Sequence, residues 1–344
     1  AGDPLGWRRL AASIAMIGTM LLPVAATAQS PFIGDIEGPT TITDPGKFPT
    51  ELHEAPELAE LVAAGKLPPI EERVPVHDDL LVIQPVEMDG TYSDKPWRRA
   101  FTGPGDGANI RRVNRDTVLF FNPSMTEVGP NVAKSFAGSE DGKVWTLTLR
   151  KGMKWSDGEP FTADDFVFWY EHIVKNPDLG NSQVPIISVG GKLGTVEKVD
   201  DVTVRYTLPE PNFLFPEALA GYTVISSHGS FGQAAGGGGF APAHYLEQFH
   251  PDFVDKEKLE TLVKESGFDN WALLFNARNN ATLNPELPVV TPWKVVTGAN
   301  TDLWVIERNP YYFAVDTAGN QLPYINEVVT KLIGDIEAIN FAAL

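Results

Sequence analysis

The clearest pattern of hydrophobic and polar positions lies in the middle of the chain. Trp145, Leu147 and Leu149 alternate with polar residues, which predicts a half-buried β-strand. Met153 and Trp155 lie between two turns that contain glycine, and they predict a second short strand. The pattern therefore begins as strand, turn, strand, turn.

A capped helix is predicted directly after these strands. Thr162 suits the N-cap, and Asp164 and Asp165 fall in the first turn, where carboxylates favour the positive end of the helix dipole. From Phe166 to Val174 the apolar residues recur at helical spacing and form one face, and Pro177 ends the helix. Since neighbouring side chains on a helix point apart, capping explains the two aspartates better than an acid–base pair does.

Weaker patterns predict the remaining elements. Strands are predicted at Leu80–Val86, Val118–Phe121, Val196–Val199, Val202–Leu208, Leu303–Glu307 and Val328–Ile333. Helices are predicted near residues 58–62, 255–265 and 270–277, and from residue 337 onward. Residues 88–109 and 226–241 are rich in Gly, Pro, Ser or Asp and are predicted to be loops. Short strands interleaved with helices indicate an α/β fold with a mixed sheet.

The first 28 residues have the features of a signal peptide. Arg8 and Arg9 precede an apolar stretch, and Ala26-Thr27-Ala28 is a typical cleavage signal. A membrane anchor is the alternative, but the apolar run is short and interrupted by Pro23. Residues 29–50 lack periodicity and are predicted to form an extended arm.

Composition excludes several classes of protein. The chain has no cysteine, so disulfides, thiolate catalysis, cysteine-bound metals and a lipid-modified cysteine are all excluded. Together with the leader, this predicts a freely diffusing periplasmic protein, which we expect to be a monomer. A formal net charge of −18 argues against binding to nucleic acid or anionic lipid. Roughly 315 residues after the leader exceed one usual core, so two lobes are expected.

The motifs that would indicate catalysis or a cofactor are missing or incomplete. Gly236–Gly239 lacks the Lys-Ser/Thr ending of a phosphate-binding loop, so a surface loop is the better interpretation. His244 and His250, with Asp252 beyond, raise the possibility of zinc, but two surface histidines are the simpler interpretation. No nucleophile or metalloprotease motif is present. We therefore expect no catalysis, cofactor or metal.

Three ordered segments carry a family resemblance. They are WTLTLRKGMKWSDGEPFTADDFVFWYE from residue 145, EAPELAELVAAGKLPPIEERVP from residue 54 and ERNPYYFAVDTAGNQLPYINEV from residue 307. Together they resemble the extracytoplasmic solute-binding proteins of family 5, the dipeptide, oligopeptide, nickel and oligosaccharide receptors of ABC importers.

The resemblance implies a particular fold and domain organisation. It implies the class II periplasmic binding protein-like fold of two lobes, with the extra insert subdomain of the large peptide receptors, incomplete in this chain. Lobe I would take residues 51–120 and 226–326, the insert subdomain residues 121–225, and the start of lobe II residues 327–344.

The resemblance also implies where a solute binds. Trp293 matches by position the family's aromatic residue near the cleft. Trp271, Tyr245, Asp106 and Asn114 are further candidates, chosen because polar and aromatic residues in loops are freer to contact a solute than those on regular elements. Ordinary packing or solvent exposure is the alternative for each of the five.

The function implied is the substrate-binding subunit of an ABC importer, which captures an oligopeptide or an oligosaccharide and delivers it to the membrane permease. Loop tryptophans favour an oligosaccharide, since sugar faces stack well on indole rings. The alternatives are a secreted hydrolase and a receptor-derived peptide-binding chaperone.

Overall fold

The structure, a computed structural model, describes residues 37–106, 113–179, 184, 186–221, 227–228 and 238–342. The predicted signal peptide and residues 29–36 of the predicted arm lie outside these residues. So do residues 107–109 of the predicted loop at 88–109 and much of the predicted loop at 226–241.

The described residues contain fifteen strands and eight α-helices. The strands are β1 Thr40–Ile42, β2 Leu81–Gln84, β3 Trp97–Phe101, β4 Leu119–Phe121, β5 Val128–Pro130, β6 Ala133–Gly138, β7 Val144–Leu149, β8 Ser188–Val189, β9 Lys192–Leu193, β10 Thr195–Asp200, β11 Thr203–Thr207, β12 Trp293–Thr297, β13 Leu303–Arg308, β14 Ala314–Asp316 and β15 Glu327–Leu332. The helices are α1 Pro56–Ala63, α2 Ile70–Arg73, α3 Ala163–Phe168, α4 Phe215–Ala220, α5 Ala243–Leu246, α6 Lys256–Glu265, α7 Trp271–Arg278 and α8 Ile336–Ala342.

The alternating segment forms β7, as predicted. It lies inside an antiparallel sheet of order β10-β11-β7-β6, and its residues Trp145, Leu147 and Leu149 are buried. The prediction of a second short strand at Met153 and Trp155 was wrong. Instead of a strand, a single bridge joins Lys154 to Pro160, because Trp155 turns into the core rather than lining a sheet face.

Helix α3 begins where the cap was predicted. The Asp164 amide donates to Thr162 Oγ1 at 3.3 Å, and the Thr162 amide donates to Asp165 Oδ2 at 2.9 Å. Beyond Phe168 the helix widens into a π-helical segment, Trp169–Val174. The apolar face packs into the largest core, which also takes in β7, β11, α4 and α7.

A second four-stranded sheet has the order β12-β13-β15-β3. The prediction of a loop over residues 88–109 was wrong at β3. The sequence of this strand, WRRAF, has no alternating apolar pattern, and only Phe101 in it is buried. In this sheet β15 lies between β13 and β3. The predicted start of lobe II at residue 327 would therefore separate neighbouring strands of one sheet.

A third sheet, of order β1-β2-β14, shows that part of the predicted arm forms a strand. Residues Thr40–Ile42 pair antiparallel with β2, while β14 pairs with β2 in parallel from more than two hundred residues further on. These pairings join distant parts of the chain. Each helix within the described residues is too short or too polar to cross a membrane.

Candidate functional site

Two of the candidate residues, Asn114 and Trp293, are directly bonded. The Asn114 amide nitrogen donates to the Trp293 carbonyl oxygen at 2.9 Å, and the Trp293 amide donates to Asn114 Oδ1 at 3.1 Å. Because both polar atoms of the side chain are engaged, Asn114 fixes the backbone where β12 begins.

Trp293 was predicted to lie in a loop, and that placement was wrong. It is the first residue of β12, and only 7% of its surface is exposed. Its ring packs in a small core with Phe101 and Trp304, and its indole nitrogen donates to the Ile325 carbonyl at 3.0 Å. The strand starts immediately after Pro292.

Asp106 lies at the end of a 3₁₀ turn, Pro104–Asp106, shortly after β3. Its carboxylate accepts a hydrogen bond from the Thr102 amide at 3.4 Å, and the residue is half-buried. Asp106 thus follows the strand at one edge of the sheet in which β12 forms the other edge.

Tyr245 and Trp271 belong to a different part of the molecule, beside the largest core. Tyr245 lies in α5, where its hydroxyl accepts from Asn284 Nδ2 at 2.9 Å and its ring lies 5.4 Å from Phe249. Burial raises the pKa of the Tyr245 phenol, which stays neutral. The five candidates are therefore divided between two regions.

Trp271, at the start of α7, lines an open groove of about 800 Å³. The apolar part of the groove is formed with Leu259 and Val263 of α6 and with Phe268. The indole nitrogen of Trp271 donates to Asp178 Oδ2 at 3.3 Å. Trp271 is thus a candidate aromatic residue with an adjoining groove.

Sequence reasoning missed the buried acid Asp116, two residues after Asn114. One oxygen, Oδ1, accepts from Asn131 Nδ2 at 3.2 Å and from the Tyr312 hydroxyl at 3.4 Å. The other oxygen is buried with no hydrogen-bond partner among the described residues. Burial raises the pKa of Asp116 to about 7. Its place in a polar run before an apolar strand was the available signal.

The two histidines that were predicted to lie at the surface, His244 and His250, have different surroundings. His244 Nε2 lies 2.8 Å from Asp157 Oδ2. His250 is fully buried, so its prediction as a surface residue was wrong. It lies near Asp252 and His172, and His172 was not among the candidates.

Two of the segments that carry the family resemblance meet in space. The Arg308 guanidinium is buried, donates to the carbonyls of Pro323 and Tyr324 at 2.9 Å each, and forms an ion pair with Glu57. Arg73, also buried, pairs with Glu54 and donates to Gln321 Oε1 at 3.0 Å. Both arginines therefore join the segment from residue 54 to the segment from residue 307.

Comparison with known proteins identifies consistent relatives. The family model described as bacterial extracellular solute-binding proteins, family 5 Middle, matches residues 127–343. The periplasmic alpha-galactoside-binding protein of Rhizobium meliloti is 30% identical over 92% of this chain and 47% of its own length. The chain thus spans about half the length of this relative.

Solved structures agree on the fold. A structure of an oligopeptide-binding protein OppA is 39% identical and superposes with a TM-score of 0.76, covering 86% of this chain and 43% of that one. The periplasmic binding protein MelB from Agrobacterium fabrum C58, in complex with stachyose, is 28% identical with a TM-score of 0.62, covering 89% and 45%. The predicted periplasmic binding protein-like α/β fold is confirmed.

Proposed function

The chain belongs to family 5 of the bacterial extracellular solute-binding proteins, and we propose that it is the substrate-binding subunit of an ABC importer. The observation that carries the proposal is the similarity to solute-binding relatives along nearly the whole chain, 92% of it for one relative and 86% for one solved structure. The family consists of solute-binding proteins, so we propose that this protein binds its solute without chemical change.

The solute we propose is an oligopeptide or an oligosaccharide. The alpha-galactoside-binding relative and the stachyose-bound structure support the sugar, whereas the OppA structure supports the peptide. Aromatic faces stack well on sugar rings, and Trp271 is a half-buried aromatic residue beside an open groove.

The mechanism that follows is capture and delivery. Two lobes close around one solute, and the closed protein docks on the membrane permease, which recognises the closed form. We place the protein in the periplasm, because its relatives carry that location in their names and because the first 28 residues resemble a signal peptide. We propose that it acts as a monomer and without nucleic acid.

The five candidate residues enter this proposal in unequal ways. Trp271 and Asp106 are half-buried and each has a single described side-chain hydrogen bond, so each can contact a solute directly. Tyr245 keeps a hydroxyl proton to donate while accepting from Asn284. Asn114 and Trp293 would act by shaping the start of β12, since their polar groups are already bonded.

Thermal unfolding with a solute panel tests the proposal. A ligand that binds the folded state alone raises Tm, and at about one hundred times Kd the stabilisation is about 2.7 kcal/mol. We expect a rise with stachyose or with short oligopeptides, but not with both at equal concentration. No rise with either class would overturn the proposal, and Trp271→Phe with Trp271→Ala would show whether the indole takes part.

A further inference from the structure

Three side chains with metal-binding chemistry come together beside the π-helical end of α3. Asp252 Oδ2 lies 2.8 Å from His172 Nδ1 and 3.7 Å from His250 Nδ1. One ligand atom from each of the three residues lies within 4.8 Å of the other two. Since His172 is 78 residues before His250 in the chain, only the fold reveals the cluster.

The hydrogen bonds of His250 leave one ring nitrogen directed toward this cluster. His250 Nε2 lies 3.0 Å from the His172 carbonyl oxygen, which can only accept, so Nε2 carries the hydrogen. Nδ1 then has the lone pair, and it accepts from the Asp252 amide at 3.2 Å, a hydrogen bond that a bound metal ion would replace. The contact of Nε2 with Asn176 Nδ2 at 3.2 Å cannot be a second bond of this tautomer. A histidine that donates its other N–H to a backbone carbonyl is the usual arrangement of a metal ligand.

Aromatic rings hold both imidazoles in place. The His172 ring lies 4.7 Å from Phe253 and 5.4 Å from Phe168, and the His250 ring lies 5.1 Å from Trp271. His172 lies in the π-helical segment, a local irregularity that is frequent at functional sites.

We propose that His172, His250 and Asp252 bind one Zn²⁺ ion. In a tetrahedral zinc site with bonds of about 2.0–2.1 Å, ligand atoms lie roughly 3.3 Å apart. The two measured separations, 2.8 and 3.7 Å, fall on either side of that value. Two imidazoles and a carboxylate are a known zinc ligand set that leaves the fourth position to water.

The site is open enough to be reached from solution. The side chains of His172 and Asp252 are 28% and 58% exposed, so water and a metal ion can approach from their side, while His250 closes the other side. Bound zinc would join α3 to the segment that follows α5. This role goes beyond solute capture and does not depend on it.

Isothermal titration of the untagged protein with Zn²⁺ alone tests the site. We expect one Zn²⁺ per chain, with affinity at least about tenfold weaker in His172→Gln and in Asp252→Asn, because losing a direct ligand should cost no less than losing a partner of one. His77→Gln is the matched control: His77 Nδ1 lies 2.9 Å from Asp78 Oδ1, a His–Asp pair outside the cluster. It should bind zinc like the wild type.

Thermal unfolding separates a lost site from a lost fold. Zn²⁺ should raise the Tm of the wild type and of His77→Gln but not of His172→Gln, and the three should unfold alike without metal. If His172→Gln is misfolded, Asp252→Asn decides, since that side chain is more than half exposed. Absence of zinc binding in the wild type, or wild-type affinity in a folded cluster variant, would overturn the proposal.

Discussion

Two buried carboxylic acids, Asp116 and Asp165, have pKa values that burial raises, and they differ in their hydrogen bonds. Asp116 has only weak hydrogen bonds to one oxygen and a second oxygen with no partner among the described residues. Asp165, by contrast, accepts from Thr162, Trp155 and Ala243, yet burial also raises its pKa to about 7. Sequence patterns placed Asp165 in a first helical turn but could not show its burial, because burial depends on α5 packing over it.

Asp116 should make the stability depend on pH. Its pKa is about 7 in the folded protein against an ordinary 3.8, so between these values the folded state holds a proton that the unfolded chain has released. The free energy of unfolding should therefore fall as pH rises through this window, by about 1.4 kcal/mol per unit of pKa shift.

Asp116→Asn tests this dependence, because the amide is neutral at every pH. As the pH rises from about 4.5 to about 8, the Tm of the wild type should fall relative to the Tm of the variant. The exposed Asp302→Asn is the control and should follow the wild type. Parallel pH profiles for the wild type and Asp116→Asn would show that Asp116 is not protonated in the folded protein.

Trp293 is predicted to matter mainly for stability. Since its ring is buried in a small core, Trp293→Ala should lower the free energy of unfolding by roughly 3 to 5 kcal/mol. Trp293→Phe keeps most of the packing but loses the hydrogen bond to Ile325, so it should lower the free energy of unfolding by about 1 kcal/mol. Urea unfolding measures both, and an alanine variant as stable as the wild type would contradict this position for the ring.

At the scale of elements, the strong central pattern and most of the weaker patterns predicted elements that form. The predicted segments at β7, β11, α3, α6 and α7 form as expected, because each buries one face of a regular pattern. Strand β3 was missed because only Phe101 in it is buried and because its pairing partner, β15, lies more than two hundred residues later. The three residues of β1 are likewise too few to show a period.

The cap of α3 should contribute measurably to stability. Thr162→Ala removes the oxygen that accepts from the Asp164 amide and should cost about 1 kcal/mol, whereas Thr162→Ser keeps that oxygen and should cost much less. The two variants can be compared by urea unfolding followed by circular dichroism. Equal losses for serine and alanine would mean that the hydroxyl is not the stabilising group.

At the scale of the whole molecule, family and fold could be predicted from three sequence segments, whereas the five candidate solute contacts stay predictions. The segments that carry the resemblance form β7, α3 and the ion pairs of two buried arginines, Arg308 with Glu57 and Arg73 with Glu54. Of the candidate solute contacts, Trp293 was placed in a loop but lies in a strand, whereas Trp271 begins the helix predicted near residues 270–277. A binding surface is assembled from distant segments, so no local pattern marks it.

Equilibrium dialysis followed by mass spectrometry of the recovered solute tests the central claim most directly. The protein is dialysed against stachyose and, separately, against a mixture of short oligopeptides, and both compartments are analysed. We expect one of these classes to be retained at one molecule per protein and recovered with its mass unchanged. Retention of neither class, or recovery of cleaved solute, would contradict a solute-binding subunit, and cleavage would indicate a hydrolase instead.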